Sequence, residues 1–271
     1  MLICPKCKQK LKTQNKLSII NNSYKCDKGH TYDISKEGYA NLLDSKTGSG
    51  DNDILIKARE KFLSKCYYDK LKETIKEIIN ELNITSFIDC GCGTGYYTEY
   101  FSNNINDCYG IDISKDAVKL ASKKHNQNKN IKYFVSSCKD IPLKDKSIDL
   151  IINIFAPYFN DEFQRILKNN GYLIIASSNE DHLYELKEII YDNPYYNDHV
   201  SKEVIKLDSF TLIDEKKIKY NITVNNEDLM NLFMMTPYYY KTKEKDINKL
   251  NGVDKLDITV SFNISILKLN N

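Results

Sequence analysis

The sequence predicts an α/β fold with a mostly parallel sheet that ends in an antiparallel hairpin, preceded by a small module rich in potential metal ligands. Three observations predict this fold. An apolar run from Phe87 leads into an acid and three alternating glycines, as where a strand turns tightly into a helix. Strand and helix patterns alternate after that turn, and the chain ends in two long runs of period two.

The glycine turn, Asp89 to Gly95, has the form Asp-x-Gly-x-Gly-x-Gly. Such a turn leaves backbone N–H groups exposed at a helix N-terminus, where a polar ligand can approach closely. About twenty residues further on, the segment from Cys108 ends in Asp112, which is placed to accept hydrogen bonds from a ribose diol. The pattern resembles motif I of the class I S-adenosylmethionine-dependent methyltransferases, which have a Rossmann-like fold. The alternative is that the glycines only form a turn and Asp112 only caps the next helix.

The first thirty residues contain four potential metal ligands in two pairs. Cys4 and Cys7 have two residues between them, and Cys26 and His30 have three. This spacing predicts one tetrahedral zinc ion, with disulfides or unused thiols as the alternative. Four protein ligands leave no open position, so the zinc would be structural, and so small a module would unfold without it. The segment Ser18 to Tyr24 is expected to be a hairpin that carries the second pair back to the first.

Charge and composition limit the classes of function. The 271 residues carry a net charge of +2. Residues 1–46 hold nine lysines and four acids, a balance of +5, so the remainder carries −3. This indicates a basic N-terminal module, although charge alone is explained better by a solvated lysine surface in a lysine-rich protein. No run resembles a membrane span or a signal peptide, and the eight cysteines are expected to be reduced thiols or metal ligands in a cytoplasmic protein.

The predicted domains are a zinc-binding module at 1–43, a linker at 44–53 and a methyltransferase domain at 54–271. The end of the module, 31–43, mixes aromatic residues with lysines, and a nucleic-acid surface and ordinary packing are equally good interpretations. Helical patterns at 54–63 and 67–82 are expected to cover the glycine turn. Tyr68 could then reach a cofactor, or simply lie on an apolar helix face.

The rest of the chain continues the alternation. The expected elements are a helix from Tyr96, a strand to Asp112, a helix from Ser114 through His125, strands at 131–135 and 148–154, a helix near 161–168, a strand at 172–177, a helix at 181–191, a strand at 218–224, a helix at 227–234 and a strand at 256–266. This βαβ repetition predicts that the carboxyl ends of the parallel strands meet at one crevice.

The segment Asn153 to Tyr158 leaves the fourth strand, where such a fold presents the methyl acceptor. An aromatic residue and a proline there can stack on a planar base, while exposed carbonyls or Asn153 accept an N–H proton. Asp161 and Glu162 are candidate general bases by position, but capping of the next helix explains them better. We therefore assign no catalytic base from the sequence.

Several further strings occur in a fixed order along the chain. After the Cys, Cys, Cys, His set they are Lys36-Glu37-Gly38-Tyr39 with Asn41-Leu42-Leu43, Ala58-Arg59 with Phe62-Leu63, the glycine turn with Tyr96-Tyr97-Thr98, Ala156-Pro157, His182-Leu183 with Glu185-Leu186-Lys187, and Met235-Thr236-Pro237. With these strings, essentially the whole chain resembles the 23S rRNA (guanine-N1)-methyltransferases of the RlmA type.

The resemblance implies methylation of guanine N1 in a hairpin loop of domain II of 23S rRNA, with the zinc module helping to grip the RNA. It implies zinc binding by Cys4, Cys7, Cys26 and His30, and binding of S-adenosylmethionine by Tyr68, Gly93, Thr94, Asp112 and His182. The motif itself adds Asp89 and Gly91 to the donor site. A homodimer on one hairpin is left open.

Two features depart from the expected pattern. Many class I enzymes carry an acid at the end of the third strand, but this chain has Val135-Ser136-Ser137-Cys138 there, with Asp140 as a nearby substitute. The chain also has only Arg59 and Arg165 as arginines, so lysines would contact phosphates, with a strong salt dependence. The alternatives are a small-molecule methyltransferase of the same fold and an inactive zinc-dependent RNA-binding factor. A measurement of S-adenosylmethionine binding would distinguish the inactive factor from both enzymes.

Overall fold

The computed structural model describes residues 1–14, 22–43, 52–125, 130–197 and 207–270. Its strands are β1 (Lys12–Gln14), β2 (Ser23–Lys25), β3 (Thr31–Asp33), β4 (Ala40–Asn41), β5 (Ser86–Cys90), β6 (Asp107–Asp112), β7 (Ile131–Val135), β8 (Ile148–Ile154), β9 (Leu167–Ser178), β10 (Phe210–Asn225) and β11 (Lys255–Leu269). Its helices are α1 (Asp53–Leu63), α2 (Asp69–Glu81), α3 (Tyr96–Phe101), α4 (Lys115–Lys124), α5 (Asn160–Ile166), α6 (Tyr184–Ile190), α7 (Asn226–Met234) and α8 (Glu244–Ile247), followed by a 3₁₀ helix (Asn248–Gly252). Within these ranges, no helix combines the length and apolar composition needed to cross a bilayer.

The main sheet has eight strands in the order β10-β11-β9-β8-β5-β6-β7-β4. Strand β5 pairs in parallel with β6 and β8, and the parallel pairing continues outward to β7 on one side and β9 on the other. Strand β11 is antiparallel to both β9 and β10. The predicted class I fold, a mostly parallel sheet with a terminal antiparallel hairpin, is confirmed.

The central strand β5 is buried along its whole length, as expected for a parallel strand covered on both faces. Its alternate side chains enter two different cores. Phe87 packs in a cluster with Ile75 of α2, while Ile88 packs in a second cluster that includes Leu2 and Leu42 from the N-terminal region. The first 43 residues therefore cover part of one face of the sheet.

The N-terminal module is joined to the main sheet by its own last residues. Strands β1, β2 and β3 form a small antiparallel sheet, but β4 pairs in parallel with β7, and Leu42 N donates to Val135 O at 2.9 Å. A bridge between Leu2 and Leu143 adds a second junction. Tyr39, Ala40 and Leu42 are buried, so the packing interpretation holds for this end of the 31–43 segment.

Two sequence predictions fall largely on residues that the structure does not describe. The predicted linker, 44–53, lies outside the described residues except for its last two positions, where Asn52 caps α1 by accepting from Ile54 N and Leu55 N. The tip of the predicted hairpin at 18–21 also lies outside them. The strands that this hairpin would join, β1 and β2, are paired antiparallel.

Some element boundaries differ from the sequence prediction. The predicted helix near 161–168 ends at Ile166 because Leu167 is extended and pairs with Ile148, so β9 begins five residues earlier than the predicted strand. Helix α6 begins at Tyr184 rather than at 181, because Leu183 adopts a left-handed conformation with φ of +57°. Helix α8 and the 3₁₀ helix were not predicted.

Gly110, in the middle of β6, allows the ring of Tyr133 to pack directly on the backbone. A Cβ at Gly110 would lie 2.6 Å from two ring carbons of Tyr133. We therefore expect Gly110→Ala to lower the free energy of unfolding by about 2 kcal/mol, since overpacking a close-packed core forces side chains to move. Urea denaturation measures this change.

Gly252→Ala is the matched control, because a Cβ there would meet nothing within 4 Å. Its free energy of unfolding should stay within about 0.5 kcal/mol of the starting protein. Equal stabilities of the two variants would contradict the packing account of Gly110.

Candidate active site and metal centre

A cavity of about 770 Å³ opens at the carboxyl ends of the central strands, within the size range of small-ligand sites. Its wall includes the glycine turn after β5, the end of β6, the segment after β8 and the end of β9. Helix α1 and the region from α7 to Tyr240 supply further parts of the wall. The parallel topology thus brings the predicted motifs to one crevice, as expected for such sheets.

The three glycines of the turn have different roles. All three have positive φ: +83° at Gly91, +52° at Gly93 and +77° at Gly95. A Cβ on Gly91 would lie 2.6 Å from Ala156 Cβ, and one on Gly95 would lie 2.7 Å from the Tyr133 hydroxyl. Among the described residues other than its chain neighbours, a Cβ on Gly93 would have only Arg59 Nη1 within 4 Å, at 3.8 Å. The outer glycines are therefore required by packing, and the middle one leaves its backbone open to a ligand.

The carboxylate of Asp112 holds this turn in place. Its Oδ2 accepts from Gly93 N at 3.0 Å, and its Oδ1 accepts from Ser114 N at 2.8 Å. Ser114 in turn caps α4 by accepting from Ala117 N. The acid predicted from the second strand therefore lies in the cavity wall and connects the turn to the next helix.

Asp89 lies beneath the turn and is almost fully buried. Its Oδ2 accepts from Thr98 Oγ1 at 2.6 Å. Burial raises the pKa of this carboxyl to about 7; the bond from Thr98 opposes the rise and the charge of Asp112 adds to it. Asp89 is thus a buried polar support at the end of the strand, and it also lines the cavity.

Thr94 provides a test of whether the cavity fits a polar ligand. Its side chain is buried in the cavity wall, and no described residue forms a hydrogen bond with its Oγ1. A buried hydroxyl without a partner is costly unless a ligand or water satisfies it. Together with the open backbone of Gly93 and the carboxylate of Asp112, it fits a ligand with a hydroxylated sugar.

Tyr68 and His182 also line the cavity, and both rings pack against Phe262. Burial raises the pKa of the Tyr68 phenol well above its usual value. Burial likewise lowers the pKa of His182 to about 3, so the imidazole is neutral. His182 Nδ1 accepts from Ser261 N at 3.2 Å, and from this bond we assign the ring proton to Nε2. His182 therefore offers an uncharged N–H donor.

The segment after β8 lines the other half of the cavity. Asn153 is buried, and Phe155 has 49% of its surface exposed with φ of +53°. Such a conformation is unfavourable for a residue with a side chain and is retained where the surroundings demand it. Pro157 and Tyr158 also line the cavity, so the predicted acceptor segment and the glycine turn share one space.

Three acids considered from the sequence do not line this cavity. Glu162 accepts from Ile141 N and from Arg165, and Asp161 accepts from Asn160 Nδ2 in the first turn of α5. Asp140 forms an exposed ion pair with Lys8 at 2.6 Å. Phe159 is the N-cap of α5, and no side chain forms a cap hydrogen bond there, so the capping expected of Asp161 and Glu162 is wrong. Asp140 connects the N-terminal module to the loop after β7.

Some cavity residues were missed from the sequence. Arg59 was not predicted to line the site, although its spacing from Leu55 on α1 is that of one helix face, and both residues line the cavity. Asn197 lines the cavity, donates from Nδ2 to His182 O, and accepts from the buried Lys187 Nζ at 2.6 Å. No local pattern in the sequence indicates Asn197, because only tertiary packing brings it to His182.

The four predicted metal ligands converge. The ligand atoms of Cys4, Cys7, Cys26 and His30 all lie within 4.8 Å of one another. Cys7 and Cys26 Sγ are 3.7 Å apart, and His30 Nδ1 lies 3.4 Å from Cys4 Sγ and 3.5 Å from Cys26 Sγ. Tetrahedral zinc with Zn–S bonds of about 2.3 Å places its sulfurs about 3.8 Å apart. These three distances match that spacing, so the cluster fits a tetrahedral zinc ion.

The surroundings of Cys4 favour a thiolate. Burial opposes ionisation, but hydrogen bonds from the Tyr32 hydroxyl at 3.2 Å and from the turn around Cys7 outweigh it and lower the pKa of Cys4 to about 6. Such a hydrogen bond from beyond the ligands also fixes the orientation of the sulfur.

Comparisons with known proteins match both parts of the chain. A family model described as "RlmA, N-terminal", a zinc ribbon, matches residues 2–47, and one described as "Methyltransferase domain" matches residues 88–175. The Bacillus subtilis protein "Putative 23S rRNA (guanine-N(1)-)-methyltransferase YxjB" is 26% identical, over 98% of this chain and 96% of its own. The "23S rRNA (guanine(748)-N(1))-methyltransferase" of Streptomyces fradiae is 25% identical, over 97% and 95%.

Among solved structures, the YcgJ protein from Bacillus subtilis superposes with a TM-score of 0.52 at 15% identity. The match covers 72% of this chain and 97% of that one. At this identity the likeness supports the fold alone.

The convergence of the four ligands leads to a prediction about metal content. We expect Cys26→Ser to reduce bound zinc from one ion per chain to much less than one, because three remaining ligands hold a structural zinc weakly. Thermal stability should fall with it, since Cys26 and Leu2 belong to the core shared with β5. Metal analysis and thermal denaturation measure the two effects.

Cys66→Ser is the control, because Cys66 is exposed and outside the cluster. It should retain a full zinc ion. Stoichiometric zinc in the Cys26→Ser protein would contradict the assigned ligand set.

Proposed function

Because the chain belongs to the RlmA family of methyltransferases, we propose that it transfers a methyl group from S-adenosylmethionine to N1 of a guanine in 23S rRNA. The observation that carries the proposal is the combination, in one chain, of a Cys₃His zinc cluster with a cavity built around the glycine turn. Both full-length relatives are named for this reaction. A small-molecule methyltransferase and an inactive RNA-binding factor are therefore not favoured.

We assign donor binding to residues around the glycine turn and to two further residues of the cavity wall. Asp112 would accept hydrogen bonds from the ribose hydroxyls. Further polar groups of the donor would contact the sterically accessible backbone at Gly93 and the Thr94 hydroxyl, which has no partner among the described residues. Tyr68 and the neutral His182 would complete the site, while Asp89 and Gly91 support the turn. S-adenosylmethionine supplies an electrophilic methyl group on a sulfonium centre.

The protein's task toward the guanine is alignment. N1 must face the methyl group while water is excluded, and such positioning lowers a reaction barrier by several kcal/mol. Transfer to N1 would break the sulfur–methyl bond of the donor, leaving S-adenosylhomocysteine, and the N1 proton must pass to an acceptor. Neither Asp161 nor Glu162, the two acids considered from the sequence as general bases, lines the cavity. We therefore assign alignment to the segment from Asn153 to Tyr158 and name no catalytic base.

We propose that the target guanine lies in a hairpin loop of domain II, and that the zinc module contacts the surrounding RNA. The module presents several exposed lysines, at positions 6, 8, 10, 12 and 28. Lysine contacts with phosphates release counterions, so RNA binding should weaken steeply with salt. A 23S rRNA substrate also places the protein in the cytoplasm.

The proposal predicts a mapped methyl group. Protein loaded with zinc should transfer label from S-adenosylmethionine to unmodified 23S rRNA, and reverse transcriptase should stop at one guanine of the domain II hairpin, because a methyl group at N1 blocks base pairing. An rRNA whose loop guanines are replaced by adenosine is the control and should show no stop.

Label in rRNA with no stop in that hairpin would contradict the proposed site. No label in rRNA, from protein shown to bind both zinc and the donor, would contradict the proposed substrate.

A further inference from the structure

Only one of the two polar atoms of the Asn153 side-chain amide has a hydrogen-bond partner among the described residues. It lies near the end of β8 with only 1% of its surface exposed, and it lines the cavity. Its Nδ2 donates to Pro157 O at 3.0 Å, while its Oδ1 has no hydrogen-bond partner among the residues that the structure describes. The bond to Pro157 fixes which atom of the amide is the acceptor, because a flipped amide would place two carbonyl oxygens together.

A buried amide oxygen without a partner is unfavourable, since it has lost water and gained nothing. Asn263 shows that the orphaned oxygen alone does not indicate a ligand site. It is also buried with an unpartnered Oδ1, but it lies on β11 outside the cavity wall. Position in the cavity is what distinguishes Asn153, and the group it requires there is an N–H donor on a ligand.

The surroundings of Asn153 are those of a planar ligand beside the glycine turn. Two residues further on, Phe155 is half exposed in its left-handed conformation, and an exposed ring can stack on a base. Ala156 packs so closely on Gly91 that a Cβ there would be 2.6 Å away. The segment that carries Asn153 is therefore fixed against the turn assigned to the methyl donor.

The chemistry of guanine selects the group that Asn153 contacts. N1–H and the N2 amino group are the donors of its pairing edge, whereas O6 is an acceptor. The incoming methyl group takes the in-plane direction of the N1–H bond, so a side chain that stayed on N1 would block the transfer. The N2 amino group remains available throughout the reaction.

We infer that Asn153 Oδ1 accepts a hydrogen bond from the N2 amino group of the target guanine, and that this contact makes Asn153 the residue that selects guanine. The inference rests on the proposed function. It adds to that function the part of the base that is read and the atom that reads it. Adenine has no amino group at this position, so it would leave Oδ1 without a partner.

Inosine tests the contact directly, because it differs from guanosine only by lacking the N2 amino group. We expect the protein to methylate a hairpin RNA carrying guanosine about 10- to 100-fold more efficiently, by kcat/KM, than the same RNA carrying inosine at the target position. In Asn153→Ala the preference should fall to within about threefold.

Asn263→Ala is the matched control, since it removes a buried amide with an orphaned oxygen outside the cavity. It should keep the full preference for guanosine. Equal methylation of the two RNAs by the unchanged protein would overturn the inference, and so would an undiminished preference in Asn153→Ala.

A binding measurement separates this inference from the proposed function. Ligand-observed NMR compares guanosine and inosine monophosphates with each protein variant in the presence of S-adenosylhomocysteine. If neither RNA is methylated but guanosine monophosphate binds more tightly and loses this advantage in Asn153→Ala, the rRNA substrate is wrong and the contact stands. Equal binding of the two nucleotides by the unchanged protein would overturn the contact.

Discussion

The Asp112 carboxylate accepts hydrogen bonds from Gly93 N and Ser114 N, and these bonds hold the glycine turn in the shape that the cavity requires. One fixes Gly93 N in a turn whose three glycines all have positive φ, and the other fixes Ser114 N at the start of α4. Parallel pairing of β5 and β6 brings Asp112 beside that turn, so the carboxylate connects two neighbouring strand ends. Because Asp112 lies in the cavity wall, the same group that shapes the turn is available to a ligand.

The zinc module and the cavity are connected through one strand. Strand β4 and Leu42 pair with β7, and the residues just after β7, Ser137 and Cys138, line the cavity. Leu2 and Leu42 also complete the core beneath β5. Zinc therefore stabilises residues that pack on β7 and beneath β5, next to the cavity. Loss of the ion should lower the stability of the methyltransferase domain as well as that of the module.

Features set by local chemistry were predictable from the sequence, and features set by tertiary contacts were not. Glycines after an apolar strand predicted the turn, and the spacing of the cysteines predicted the cluster, because both depend on neighbours in the chain. The two-residue strand β4 carries no periodic signal and exists only through its pairing with β7. The position of Asn197 and the fixed orientation of the Asn153 amide likewise depend on groups that only folding brings together.

Titration calorimetry measures the affinity for S-adenosylmethionine, and so tests whether the turn held by Asp112 binds the methyl donor. Asp112→Asn should weaken donor binding about 10- to 100-fold, because it removes the negative charge and replaces one acceptor oxygen with an NH₂ group that cannot accept from the turn or from a ribose hydroxyl. Asp107→Asn changes the other end of the same strand, where Asp107 forms a surface ion pair with Lys132 at 3.4 Å, and it should bind as the unchanged protein does. Equal affinities of all three proteins, each shown to be folded, would contradict the account.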